Sequence, residues 1–106
     1  MRFMFYGCNS LINIDLSNFN TQNVTDMNGL FYGCNSLTNI DLSNFNTQNV
    51  INMGAIFFNC KSLTNLNLSN FNSQDVTDIS FMFYVCNLLK KHNIISKDDE
   101  LLNLLN

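Results

Sequence analysis

Four cysteines, at positions 8, 34, 60 and 86, stand 26 residues apart, and the chain between them repeats at the same interval. Segments 9–34, 35–60 and 61–86 align without a gap; the first two share 18 of 26 residues, and 12 columns are identical in all three. Residues 1–8 match the end of such a segment, with Phe5-Tyr6-Gly7-Cys8 returning as Phe31-Tyr32-Gly33-Cys34, whereas residues 87–106 break the pattern. A unit of this length cannot bury its apolar face alone, so the units are expected to stack and share a core.

Two periods are legible inside each unit. In the second, Ile40 and Leu42 alternate with Asn39, Asp41 and Ser43, the pattern of a half-buried strand. Met53, Ile56, Phe57 and Cys60 fall at i, i+3, i+4 and i+7, one face of a short helix. Val50 could open a minor second strand, and the NFNTQN stretch between is turn chemistry, since asparagine bonds its own backbone and tolerates left-handed angles. The fold class this predicts is an α/β repeat: a single solenoid domain over residues 1–106, with a partial coil at 1–8, three 26-residue coils at 9–34, 35–60 and 61–86, parallel stacked strands and short helices.

Residues 87–106 read as a C-terminal helical cap. Leu89 and Ile94 lie 26 beyond Leu63 and Leu68, and Ser96 precedes Asp99 at capping-box spacing before Leu101, Leu102, Leu104 and Leu105. Lys97, Asp98, Glu100 and Asn103 supply the polar outer side that a terminal repeat needs. The N-terminus shows no such device; a fragment of a longer array is expected, with an uncapped coil open to end-to-end self-association.

Composition removes several function classes. The net charge is −3 and the longest basic run is Lys90-Lys91, so the lysine and arginine footprint of a nucleic-acid binder is missing. The longest apolar run is Phe81 to Cys86, far below the roughly 20 residues of a membrane span. The opening MRFMFYGC is not a signal peptide.

The composite coil SLTNIDLSNFNTQNVTDMNGLFYGC, with its LxxLDLSxF, TxxVTxM and FxxC elements, resembles the BspA-like leucine-rich repeat surface proteins through residues 1–89. The resemblance implies a right-handed solenoid of the leucine-rich-repeat type, a cell-surface or secreted location, and adhesion to host proteins or other microbes. It brings no catalytic residues and no fixed binding residues to this chain.

The candidate binding face is the set of outward strand columns: Asn13, Asn39, Asn65; Asp15, Asp41, Asn67; and Ser17, Ser43, Ser69. Stacked asparagines can equally bond one another and solvate a sheet, and these columns lack the aromatic or arginine anchors of most binding faces. Exposed aromatics are expected elsewhere, at Tyr32 and Tyr84 with Phe58 in the same column. The cysteines lack the close spacing of metal ligands and read as buried thiols, so no metal and no cofactor is expected. His92, the one histidine, falls where Ile40 and Leu66 stand in the coils and reads as a cap residue with no catalytic company. Two stacked aspartates, with Asp26, Asn52 and Asp78 as a second acidic column, read as a solvated polar face. Asn23 and Asn67 fit the glycosylation pattern, as chance allows in a chain with 21 asparagines.

The function expected is a non-enzymatic protein–protein interaction module with a protein ligand, part of a surface adhesin. The alternative is a structural spacer or remnant of a longer array with no ligand of its own.

Overall fold

A computed structural model describes residues 1–105. Its one sheet has three short parallel strands in chain order: β1 (Asn39–Asp41), β2 (Asn65–Asn67) and β3 (Ile94–Ile95). Asn39 pairs with Asn65, Ile40 with Leu66 and Asp41 with Asn67. The strands are short for a local reason. The Asp41 carboxylate accepts the Ser43 N–H at 2.9 Å, and the Asn67 side-chain oxygen accepts that of Ser69 at 3.0 Å, so the chain turns as soon as three residues have paired.

The predicted α/β solenoid of three coils, of leucine-rich-repeat type with short helices, is not what the chain forms. Among the described residues there are three strands of two or three residues in one open sheet, a 3-10 turn at Lys91–Asn93, and a single four-residue helix, α1 (Asp99–Leu102). The molecule measures 30 × 29 × 20 Å and has no long axis. Residues 13–15, predicted as the first strand, lie outside the sheet, and the Thr38 N–H reaching Ile12 O at 3.3 Å is the backbone bond nearest to them.

The segments predicted as helices fail for a conformational reason. Two columns have left-handed backbone: Phe3, Gly29, Ala55 and Phe81 (φ 54°, 64°, 55° and 58°) and Gly7, Gly33, Asn59 and Val85 (φ 67°, 75°, 63° and 63°). A right-handed helix cannot pass through such a residue every fourth position. N–H groups instead alternate between two destinations. Those of Ala55, Phe57 and Asn59 donate to Ser80, Met82 and Tyr84 carbonyls at 2.8–3.1 Å, while those of Phe58 and Cys60 donate back three residues to Ala55 and Phe57. The same alternation holds residues 3–7 against 28–32 and residues 29–33 against 54–58. The i, i+3, i+4, i+7 burial is produced by this run of turns.

Nine side-chain turns reinforce it. In the columns Asp15/Asp41/Asn67, Asn20/Asn46/Asn72 and Asp26/Asn52/Asp78, each side-chain oxygen accepts the N–H two residues on, at 2.8–3.1 Å.

The core is continuous. Leu37, Ile40, Leu42, Phe45, Val50, Met53, Ile56, Phe57 and Cys60 of the central segment are all buried. Its spine is Phe5, Phe31, Phe57 and Phe83, with ring centroids 5.4, 5.9 and 5.7 Å apart and planes within 7° of parallel. Phe19 and Phe45 also stack, at 6.4 Å, and Phe71 is buried without a stacked ring partner among the described residues. Three buried hydroxyls, of Thr21, Thr47 and Ser73, sit in one column. Thr21 Oγ1 accepts the Asn46 N–H at 2.8 Å and donates to its carbonyl at 3.1 Å.

The C-terminal segment closes this column with carboxylates. Asp98 accepts the Ser73 N–H at 2.6 Å, and the Ser73 hydroxyl donates to Glu100 at 3.2 Å. The helix cap is Asp98, which accepts the Leu101 N–H, and not Ser96, whose hydroxyl accepts the Asp98 N–H. Leu66 faces Ile94, 28 residues on, so the last strand has slipped two residues from the 26-residue interval. An even slip keeps side chains on their faces, and Ile94 stays buried. His92 is thereby displaced from the inward position predicted for it and is exposed in the 3-10 turn.

Candidate functional site

The predicted binding columns are divided by the structure. Asn39, Asp41, Asn65 and Asn67 line one shallow groove on the outer sheet face, closed at one end by His92, Asn93 and Ile95. Asp15 and Ser17 line a second depression with Asp41 and Ser43. Ser69 belongs to a third, bounded by Asn70, Ser73 and the Lys97–Glu100 turn. Asn13 is exposed outside all three.

Their polar atoms are largely committed to the chain itself. The Asp15 carboxylate takes both the hydroxyl (2.6 Å) and the N–H (3.0 Å) of Ser17. Those side-chain and backbone bonds hold its carboxyl below the usual aspartate value, and Ser43 does the same for Asp41. Asn39 and Asn65 donate to the neighbouring Thr38 and Thr64 hydroxyls at 3.4 and 3.3 Å. Both Ser17 bonds fall on one oxygen of the Asp15 carboxylate, Oδ1, and hold the side chain in its turn. Among the described residues, no group of three or more His, Cys, Asp or Glu is placed to hold a metal ion.

The cysteines form a column of free thiols: Cys34, Cys60 and Cys86 are buried and Cys8 is half-buried. Each buried thiol donates to the carbonyl of a phenylalanine 29 residues earlier, at 3.0–3.1 Å. Burial pushes the Cys34 and Cys86 thiols up to about 11, and that of Cys60 further in the same direction. Such thiols are packing groups and poor nucleophiles at neutral pH.

A different surface carries the larger apolar exposure. Tyr6, Tyr32, Phe58 and Tyr84 stack along the outside of the turn ladder, with centroids 5.2, 4.5 and 5.2 Å apart. Phe3 meets Tyr6 and Tyr32 edge-on at 5.7 and 6.0 Å, and Phe81 meets Tyr84 and Phe58 edge-on at 5.7 and 6.4 Å. The Arg2 guanidinium lies 5.4 Å from the Phe3 ring centre. The placement follows from the ladder: its cross-segment bonds hold equivalent residues at strand spacing, about 4.8 Å, which is also stacking distance for rings. Tyr6 (61 % exposed), Phe81 (62 %) and Tyr84 (55 %) are the most open of the six. Because the rings use their faces on one another, the strip offers solvent its ring edges and the Tyr6, Tyr32 and Tyr84 hydroxyls.

Sequence reasoning placed Tyr32, Phe58 and Tyr84 in one column, exposed or half-buried; Tyr84 is exposed and the other two half-buried, and Phe3, Tyr6 and Phe81 were missed. The signal for Phe3 and Phe81 was their column, which falls off the i, i+3, i+4, i+7 apolar face and holds the small residues Gly29 and Ala55 in the central units. At Gly29 an added Cβ would lie 2.1 Å from the Phe3 ring, so the small residue lets Phe3 lie over the backbone.

Residues 1–99 match a family described as "Mycoplasma protein of unknown function, DUF285". No curated protein and no solved structure matches the chain. The match overturns the resemblance to BspA-like leucine-rich repeat surface proteins, and the location and adhesive role implied by that resemblance lose its support. Among the described residues, no helix is long and apolar enough to cross a membrane.

Proposed function

The chain belongs to the DUF285 family of Mycoplasma proteins of unknown function, and we propose that it is a protein–protein interaction module whose contact surface is the aromatic strip, not the polar sheet face. One observation carries this: six aromatic rings form one contiguous array in which Phe3, Tyr6, Phe81 and Tyr84 are exposed and Tyr32 and Phe58 half-buried between them. Aromatic residues with a hydroxyl at the rim dominate protein contact energies, and contiguous apolar patches on a soluble domain mark contact sites. Binding is favoured over catalysis because Asp15, Asp41 and Asp78 are each held in a separate turn by the serine two residues on, and three of the four thiols are buried.

The second reading, a structural spacer, is favoured by the polar columns, whose side chains serve the chain's own backbone. Site-specific photo-crosslinking in cells that express the protein separates the two. A benzoylphenylalanine replacing Tyr84 should yield protein adducts identifiable by mass spectrometry, and one replacing Asn65 on the sheet face should not. Adducts from Asn65 alone would move the contact to the sheet; none from either position would leave the spacer.

A further inference from the structure

We infer that the protein associates head to tail with a second copy of itself, the 1–8 end of one molecule docking on the 81–86 end of the next. This rests on the reading of the chain as an interaction module and names one partner for it. The argument is main-chain complementarity. The N–H groups of Phe3, Phe5 and Gly7 donate to Asn28, Leu30 and Tyr32; those of Gly29, Phe31 and Gly33 to Gly54, Ile56 and Phe58; those of Ala55, Phe57 and Asn59 to Ser80, Met82 and Tyr84. Continued one step, the rule leaves the N–H groups of Phe81, Phe83 and Val85 with no acceptor among the described residues. At the opposite end it leaves the carbonyls of Arg2, Met4 and Tyr6 with no such donor. Three donors at one end match three acceptors at the other, at the spacing already used three times inside the molecule. An open row of this kind is a template for pairing with another chain.

The side chains agree with the backbone. The donor row borders an open groove of about 350 Å³, lined by Phe81, Met82, Phe83, Tyr84, Val85 and Leu104. Docking would bring Tyr6 of one copy onto the exposed end of the Tyr84 column and continue that ring stack, while Phe83 stays buried under its own chain. The two ends are also filled on opposite sides. Residues 87–105 cover the sheet side beyond β2 and carry β3, while residues 1–8 lie only on the ladder side, below 28–32. A contact between different patches of identical chains does not close on itself, so it builds open rods and not symmetric dimers.

The test uses the full chain. Sedimentation velocity from dilute to concentrated protein should show a weight-average mass that climbs past that of a dimer without a plateau. Amide hydrogen exchange at Phe81, Phe83 and Val85 should slow in the same concentration range. Met4 is exposed, so Met4→Glu should keep the circular dichroism of the parent while blocking one end. Added to the parent protein, it should terminate rods and lower the average mass in proportion to its share. A small soluble domain fused ahead of Met1 should do the same, and it serves if Met4→Glu disturbs folding. The two readings fail separately: Tyr84 cross-links to other proteins from a chain that stays monomeric would sink self-association alone, whereas rods whose Tyr84 cross-links join only copies of this chain would sink a foreign partner alone. A mass that stays monomeric, a plateau at the dimer, or exchange protection that rises elsewhere and not at these three amides would each overturn the inference.

Discussion

The sheet side and the ladder side of the molecule keep the same 26-residue interval with unequal fidelity. On the sheet side, pairing covers β1 to β3, is missing at residues 13–15, and slips by two residues where Leu66 meets Ile94. On the ladder side, cross-segment bonds run from Phe3 to Tyr84 with no slip. Each ladder step couples three amide bonds to a Phe ring stacked within 7° of its neighbour. A register shift there would unstack the rings and break the amide row together, whereas a two-residue slip of a short strand preserves its buried face. Register is therefore held where backbone and side-chain requirements coincide.

The largest test of this contrast is a pair of core truncations. Phe57→Ala, at the centre of the ring spine, should cost about 4 kcal/mol, and Leu66→Ala, at the centre of the sheet, about 3 kcal/mol. Urea denaturation followed by circular dichroism reads both. If Leu66→Ala is the costlier, the sheet is the side that holds the register.

The buried hydroxyl column between the two sides gives a smaller effect. Thr21 makes two bonds to the Asn46 backbone, while Thr47 accepts the Asn72 N–H at 3.3 Å. Thr21→Val should lose about 2 kcal/mol and Thr47→Val about 1 kcal/mol, and equal losses would show that the shorter bonds at Thr21 carry no extra weight.

On the ladder itself, a gain is expected. Val85 is a β-branched residue at φ 63°, in the column where Gly7 and Gly33 also stand. Val85→Gly should stabilise by about 1 kcal/mol and Gly33→Ala should cost about as much. A Cβ at Gly33 would meet only the Gly7 backbone, at 3.7 and 3.8 Å, so the cost is conformational and not steric. Thermal melts check both; a destabilised Val85→Gly would mean that its packing outweighs its strain.

The smallest effect distinguishes the sides by pH. Hydrogen bonds from Ser43 and from Ser80 hold the carboxyls of Asp41 and Asp78 below their ordinary value. The folded state thus favours the ionised form. The contribution is complete above the unfolded value near 4 and is lost as pH falls through the lower folded values. Asp41 is exposed and Asp78 only partly covered, so each contributes well under about 1 kcal/mol. Asp41→Asn keeps the turn, as Asn67 does in the same column, and should flatten the loss of melting temperature between neutral and acid pH. Asp78→Asn should do the same on the ladder side, where Asn52 already makes that turn. An unchanged acid slope in both variants would remove these carboxylates from the account.

The apolar columns were legible because their residue types are confined to positions that alternate or recur, and Leu37, Ile40, Phe57 and Cys60 are buried accordingly. The turn chemistry of the asparagines was legible too, since an Asn side chain bonds its own backbone without outside help. The helices predicted over residues such as 53–60 were not formed, and the fold class went wrong with them. Inward residues at i, i+3, i+4 and i+7 arise equally from a helix and from a run of alternating turns, and only Gly7, Gly29, Gly33 and Asn59 hinted at the second. For the binding face, outward position in a strand pattern did not reveal that Asp15, Asp41 and Asn67 would be spent on Ser17, Ser43 and Ser69.

By itself the sequence determined which residues are equivalent, at what interval they return, and which of them avoid water, because these depend on residue type and spacing alone. Only the tertiary structure decided where each backbone N–H goes. The N–H of Phe57 has a choice between a carbonyl of its own turn and that of Met82, and the second exists only once the neighbouring segment is in place. That non-local choice turned a helical pattern into a ladder, and the ladder put six aromatic rings on one surface.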